Sequence, residues 1–263
     1  MPASTSHSPA TGAERAALIA AFDAELQPER FKDYAPNGLQ VEGAPRVRRL
    51  VSGVTASRAL IDAAIDAGAD ALFVHHGLFW RGQDGRVTGW MKERLGRLLA
   101  HDINLLAYHL PLDAHPTLGN NAQLGQRLGL TSNGRFGEYE LGCIGQRSDG
   151  QFFADADALA RHLEQVLNRP VTHVGQAPQA IRKIAWCSGG AQDWFEAAIA
   201  AGAQAFITGE LSEPQVHLAR ECGVVFYACG HHATERYGAP AMAAHVAAQL
   251  GIEHQFIDID SPA

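Results

Sequence analysis

The run Val224-Val225-Phe226-Tyr227 leads through Ala228 and Cys229 into Gly230-His231-His232-Ala233-Thr234-Glu235-Arg236. Its apolar part is short, rich in β-branched and aromatic residues, and reads as a buried strand. Gly230 breaks it, and an alanine-rich helical pattern follows Pro240. The motif therefore sits where a strand hands over to a helix, the place where ligands collect in α/β sheets. With a helical turn beginning at His231, Glu235 lies four residues on and shares its face. A histidine and a carboxylate on one face make half of a metal site. Another stretch supplies the other half: Phe73-Val74-His75-His76-Gly77, again an apolar run ending in two histidines.

Working outward, the same alternation of elements occurs twice. Leu50 to Val54 reads as a strand, Ser57 to Asp66 as a helix capped at Gly68, and Ala71 to Val74 as a strand. An amphipathic helix over 90–100 and a strand from Ile103 to Tyr108 follow, ending in His109-Leu110-Pro111-Leu112-Asp113. A shift of 134 positions lays residues 60–74 on 194–208, with seven of fifteen pairs identical, Gly68/Gly202 among them. Alanine bias inflates that count, so the order of elements is the stronger argument. Where the first copy has His76, the second has Glu210, in Thr208-Gly209-Glu210. Helices alternating with strands imply parallel sheets. The expected fold is α/β: two similar halves forming an internal repeat, with mostly parallel sheets and a dinuclear metal site between them. The halves are placed at 13–130 and 131–263, the second including a connecting block at 131–180 with strands around Phe136 to Ile144. Residues 1–12, rich in Ser, Thr, Pro and Ala, are expected to be disordered. The segment Asp33-Tyr34-Ala35-Pro36-Asn37-Gly38-Leu39-Gln40-Val41-Glu42-Gly43 is read as a loop, either on the surface or folded against the site.

Composition bounds the function. The chain has 263 residues, 46% of them hydrophobic, as an ordinary folded core requires. Its formal charge of −7 argues against general nucleic-acid binding, which needs a basic surface. Cys143, Cys187, Cys222 and Cys229 form no CxxC pair, so free cytoplasmic thiols are expected, and Cys229 reads as a small buried residue ending its strand. No apolar stretch approaches the roughly 20 residues of a membrane span. No GxSxG, Walker A or strand-to-helix GxGxxG is present, and Gly189-Gly190 reads as a tight turn.

Of thirteen histidines, four stand as two pairs directly after strands: His75-His76 and His231-His232. Adjacent residues on an extended chain point to opposite sides, so such a pair suits two ions better than one. The carboxylates at matching strand ends are Asp113, Glu210 and Glu235. Singly, each has a plainer reading: Asp113 as a helix N-cap, Glu235 as a first-turn acid facing the helix dipole. Together with the histidines they read as ligands. His75, His76, Asp113, His231 and Glu235 would make a dinuclear site with room for water. His109 and Glu210 are candidates to stand just behind it. Nitrogen and oxygen donors without sulfur suit two divalent ions such as Zn, Fe, Mn, Co or Ni.

The segment 33–43, His75-His76-Gly77, His109-Leu110-Pro111-Leu112-Asp113, Thr208-Gly209-Glu210 and Gly230-His231-His232-Ala233-Thr234-Glu235 come in the order of a known family. Over roughly residues 14–260 the chain resembles the Nif3-like dinuclear metal-centre proteins, often labelled type 2 GTP cyclohydrolase I-like. The resemblance implies two α/β halves with a two-metal site between them. It also implies a homohexameric ring with its sites facing a central cavity. It places the metal ligands on His75, His76, Asp113, His231 and Glu235, deciding for His231 over His232. The short block at 131–180 marks the compact form, without the large insertion of some relatives. The function expected is a dinuclear-metal hydrolase of a small nucleotide or phosphate-containing substrate. The alternative is a non-enzymatic metal-binding, metal-delivery or partner-binding ring.

Overall fold

The structure, a computed structural model, describes residues 12–177 and 179–263. The expectation of disorder over 1–12 therefore falls, except for Gly12, outside the described residues. The chain opens with β1 (Ala13–Glu14), α1 (Arg15–Leu26), β2 (Gly38–Val41), β3 (Arg46–Val47), β4 (Arg49–Thr55), α2 (Arg58–Asp66), β5 (Ala71–His76), α3 (Gly89–Ala100) and β6 (Asn104–Ala107). It continues with α4 (Leu110–Ala114), α5 (Asn120–Arg127), β7 (Leu130–Phe136), β8 (Gly142–Arg147), α6 (Ala156–Leu167), β9 (Thr172–Val174) and β10 (Ile184–Trp186). Then come α7 (Phe195–Ala200), β11 (Ala205–Thr208), α8 (Glu213–Cys222), β12 (Val225–Ala228), α9 (His231–Glu235), α10 (Gly238–Leu250) and β13 (Glu253–Phe256). Among the described residues no helix is long and apolar enough to cross a membrane.

Two compact units result, and they are not the sequential halves 13–130 and 131–263. The first holds the described residues up to Pro28, Asp33–Tyr108 and Met242–Asp258; the second holds Glu29–Lys32, His109–Ala241 and Ile259–Ala263.

The first unit is built on a five-stranded sheet in the order β13-β4-β5-β6-β2. β13, β4, β5 and β6 run parallel, and β2 adds an antiparallel edge. Helix α1 buries Leu18, Phe22 and Leu26, spaced by four so that they share one stripe. Phe22 stacks on Phe73 with ring centroids 4.3 Å apart. Ser57 caps α2 by accepting from the Leu60 amide at 3.2 Å, and Gly68 ends that turn at φ +68°. The segment 33–43 is not a free loop, because its second half is β2, paired with β6. Gln40, on that strand, accepts from the Leu78 amide at 2.8 Å and donates to the Pro36 carbonyl at 2.9 Å. Of the two readings left open, this segment takes the one folded against the His75-His76-Gly77 turn.

The second unit carries a six-stranded sheet in the order β7-β8-β10-β11-β12-β9. Only β10, β11 and β12 are parallel to one another; β7, β8 and β9 pair antiparallel. The expectation of mostly parallel sheets is thus corrected here: the fold is α/β with two mixed sheets. Residues 131–180 do not merely connect, since they provide nearly all of three strands. The physical reason is connection length. Residues 137–141 are too few for a crossover, so β7 and β8 can pair only as a hairpin. Alternation along the central strands sends Ala205, Ile207, Val225 and Tyr227 to one face, covered by Leu159, Leu163 and Leu167 of α6. Phe206 and Phe226 go to the other, against Phe195 and Ala198 of α7 and Ala219 of α8.

Both parallel triplets, β4-β5-β6 and β10-β11-β12, have the strand–helix–Gly–strand–helix–strand order read from the sequence, with Gly202 at φ +82° answering Gly68. Each triplet ends in a five-residue helix, α4 and α9, directly after its last strand.

Gly125 shows how tightly the second core is filled. A Cβ there would lie 2.7 Å from Cζ2 of Trp186, which is fully buried and tied through Nε1 to the Asn121 carbonyl at 2.9 Å. Alanine gains up to about 1 kcal/mol of helix propensity, but overpacking a fixed ring costs about 1–3 kcal/mol. Gly125→Ala is therefore expected to lower stability by about 1 kcal/mol net. A thermal melt should fall by about 2–4 °C, and a melt at or above that of the unaltered chain would contradict this packing.

Candidate metal centre

Within the first unit, β5 delivers His75 and His76 at its C-terminal end. His75 is fully buried, and its Nδ1 lies 3.2 Å from the Tyr108 carbonyl. A carbonyl only accepts, so the proton sits on Nδ1 and the lone pair on Nε2. His76 places Nδ1 3.1 Å from Thr55 Oγ1, and its ring packs 5.7 Å from that of Trp80. Strand alternation predicts diverging rings, yet the centroids of His75 and His76 are 4.5 Å apart. His76 is the last residue of β5, so no further ladder fixes its side chain on the opposite face. Gly77 then makes the turn, and a Cβ there would run into the Gln40 amide. Phe79 and Trp80, which follow this turn, are half-buried.

Within the second unit, Glu210 follows β11, and His231 and Glu235 follow β12. Gly230, at φ +94°, turns the chain into α9, with His231 first and Glu235 last. The four-residue spacing does what the sequence implies: His231 Nε2 lies 3.2 Å from Glu235 Oε2. Glu235 is 3% exposed and closes its short helix, so the first-turn dipole reading does not apply. Glu210, just beyond β11, places Oε1 2.6 Å from His231 Nδ1. Burial pulls the His231 pKa down, but the Glu235 and Glu210 carboxylates outweigh it and raise it to about 9. In the metal-free chain His231 is thus an imidazolium at neutral pH, and an ion at Nε2 would replace its proton. His232 is half-buried, and its amide donates to the Ala263 carbonyl at 3.2 Å.

Asp113 lies inside α4, not at its N-cap, which is His109. Its carboxylate accepts from Asn120 Nδ2 at 2.9 Å and approaches Ser188 Oγ at 3.4 Å. Asn120 and Asn121 are fully buried and were missed by the sequence reading. Asn120 Oδ1 accepts from the Gly238 amide at 3.0 Å, and Asn121 Oδ1 from the Ser188 amide at 2.7 Å. Two adjacent amides after Gly119 were the only available signal, and such pairs more often mark exposed turns. Gly189 was read only as a turn. It sits at φ +66°, and a Cβ there would strike Glu235 Oε1. Its amide donates to Thr234 Oγ1 at 2.9 Å, and its carbonyl accepts from Thr208 Oγ1 at 3.0 Å. Cys187 is buried behind these groups, its thiol pushed well up by burial and by Asp113. Cys229 is fully buried in the core, as its plain reading held, and burial pushes its thiol up as well.

The donors are imidazole nitrogens and carboxylate oxygens, which fits divalent first-row ions, and groups of His, Asp and Glu among the described residues are consistent with a metal site.

The sequence profile of the Duf34/NIF3 (NGG1p interacting factor 3) family matches residues 13–262. The GTP cyclohydrolase 1 type 2 homolog of Neisseria meningitidis serogroup A is 52% identical over 238 residues, covering 90% of this chain and 94% of that protein. The protein of the same description from Pseudomonas aeruginosa is 50% identical over 249 residues, covering 94% and 97%. Among solved structures, protein ybgI, described as of unknown function, superposes with a TM-score of 0.91 at 44% identity, covering 95% of this chain and 100% of its own. A Thermus thermophilus protein gives 0.86 at 31% identity, with the same coverage.

Proposed function

The chain belongs to the Duf34/NIF3 family, and from that premise we propose that it is a dinuclear-metal-dependent hydrolase of a small nucleotide or phosphate-containing substrate. His75, His76, Asp113, His231 and Glu235 would hold the ions. The observation that carries this reading is the pinning of imidazoles. His75, His76 and His231 each have Nδ1 against an oxygen, of Tyr108, Thr55 and Glu210 respectively, which turns Nε2 to the task of ligation. Each of the five residues also belongs to at least one group of donors suited to an ion. A divalent ion held by these residues would supply water acidified towards a pKa of about 7 and Lewis acidity towards the substrate.

The chain's own groups do the rest. Asn120 and Ser188 hold the Asp113 carboxylate, and the Gly189 peptide, clamped by Thr208 and Thr234, lies against Glu235. These buried bonds fix the donors before any ligand arrives, so little reorganisation is needed on binding. The description of the bacterial relatives makes GTP the first nucleotide to test.

Elemental analysis after gentle purification is expected to give about two first-row divalent ions per chain. A content near zero that added metal cannot raise would remove the centre. Beside it, a screen of GTP, other nucleotides, phosphoesters and cyclic amides should show saturable turnover that a chelator abolishes. Tight metal binding with transfer to an acceptor protein, and no turnover, would replace the hydrolase with a metal-delivery protein.

A further inference from the structure

We infer that Glu210 is a positioning residue: its carboxylate holds the His231 ring so that Nε2 is the ligating nitrogen, and it strengthens that nitrogen as a donor. This rests on the metal-centre reading above and adds a residue that is not itself a ligand.

Three observations carry it. The first is the bond. Glu210 Oε1 and His231 Nδ1 are 2.6 Å apart, at the short end for a charge-assisted contact, while Nε2 of the same ring is 3.2 Å from Glu235 Oε2. The ring is therefore oriented at both nitrogens, and only Nε2 faces the buried acid. A carboxylate accepts at Nδ1 without donating, so it fixes the tautomer as well as the angle.

The second is the turn that brings Glu210 there. A Cβ on Gly209 would lie 2.6 Å from both the Gly189 carbonyl and the His231 Cα. The Gly209 amide also donates to the Gly189 carbonyl at 2.8 Å. The backbone before Glu210 thus packs directly on the His231 turn, which keeps the carboxylate within reach of the imidazole. Among the described residues Gln192 Nε2 also approaches the Glu210 carboxylate, at 3.4 Å, too long to compete for it.

The third is the internal repeat. Glu210 holds the register that His76 holds in the first unit, two residues beyond the end of its central parallel strand rather than at the end itself. There the position carries an imidazole, with its own Nδ1 turned to Thr55. In the second copy the same place carries an acceptor that serves the imidazole of the next strand end. The two copies thus divide the work, one offering donors in a row, the other a donor and its support.

The Glu210 side chain is 48% exposed, so water screens it and the effect belongs at the lower end for such partners. The test uses the full-length chain with zinc, titrated against a chromophoric chelator, for the unaltered protein, Glu210→Gln and Glu210→Ala. Affinity for one ion is expected to fall by about tenfold in Glu210→Ala and by less in Glu210→Gln, which keeps an oxygen acceptor but loses the charge. Cobalt substitution should show the same order as a change in the visible ligand-field spectrum. In the metal-free protein, proton NMR should show a slowly exchanging downfield His231 Hδ1 signal that Glu210→Ala abolishes and Glu210→Gln retains. A purely structural role would leave that signal and the cobalt spectrum unmoved.

If the unaltered chain binds zinc and both variants bind it equally well, with the Hδ1 signal unchanged, Glu210 loses its role while the metal centre stands. If the unaltered chain binds no metal, both readings fall together, and the two results cannot be confused.

Discussion

Glu235→Gln is expected to cost the chain at least an order of magnitude in affinity for one or both metal ions. Glutamine keeps the size and one oxygen but removes a full negative charge from a side chain that is only 4% exposed. At such a site solvent screens little, so the loss is felt close to its full value. If the centre holds two divalent ions, their mutual repulsion would be offset in part by the Glu235 charge, which glutamine does not supply. A tenfold loss corresponds to about 1.4 kcal/mol, a modest demand on a ligand carboxylate. If Glu235 held no ion, the change would leave metal affinity as it is. Metal content and melting temperature, measured with and without chelator for both proteins, separate these outcomes. A variant that retains both ions at unchanged affinity would take Glu235 out of the centre.

Gly189→Ala should damage fold and centre together. Its φ of +66° is a left-handed conformation that costs a side-chain-bearing residue about 1–2 kcal/mol. The added methyl would also collide with the Glu235 carboxylate, and its neighbourhood leaves no retreat. The Gly189 peptide is held on one side by Thr234 and on the other by Thr208 and the Gly209 amide. Overpacking against fixed groups adds about 1–3 kcal/mol. The sum, about 2–5 kcal/mol, should lower the melting temperature by roughly 4–20 °C. Metal affinity should fall with it, because the carboxylate must swing to make room. Gly190→Ala is the matched control: its nearest neighbour would be 3.5 Å away and its φ is not positive. It should change stability by under about 0.5 kcal/mol. Equal melts for the two variants would mean that the Gly189 turn does not bear on Glu235.

The sequence alone determined what depends on near neighbours along the chain. Periodicity marked α2, α3 and the strands β4, β5, β6 and β12. Ser57 and Gly68 announced the ends of α2. The spacing of His231 and Glu235 placed them on one face of a turn, because a helix repeats within four residues wherever it occurs. Histidine pairs after apolar strands pointed to metal chemistry for the same local reason. The tertiary structure decided what depends on which segments meet. Whether 130–147 joined a parallel or an antiparallel ladder, and that β13 returns to lie beside β4, are pairings of backbone groups whose pattern looks alike in any apolar run. That Gln40 braces the turn after His76, that Asn120 and Asn121 lie buried around Asp113, and that Gly189 must lack a side chain follow from packing partners tens of residues away. A buried amide and a surface amide are the same letters. Only the partner that replaces water tells them apart.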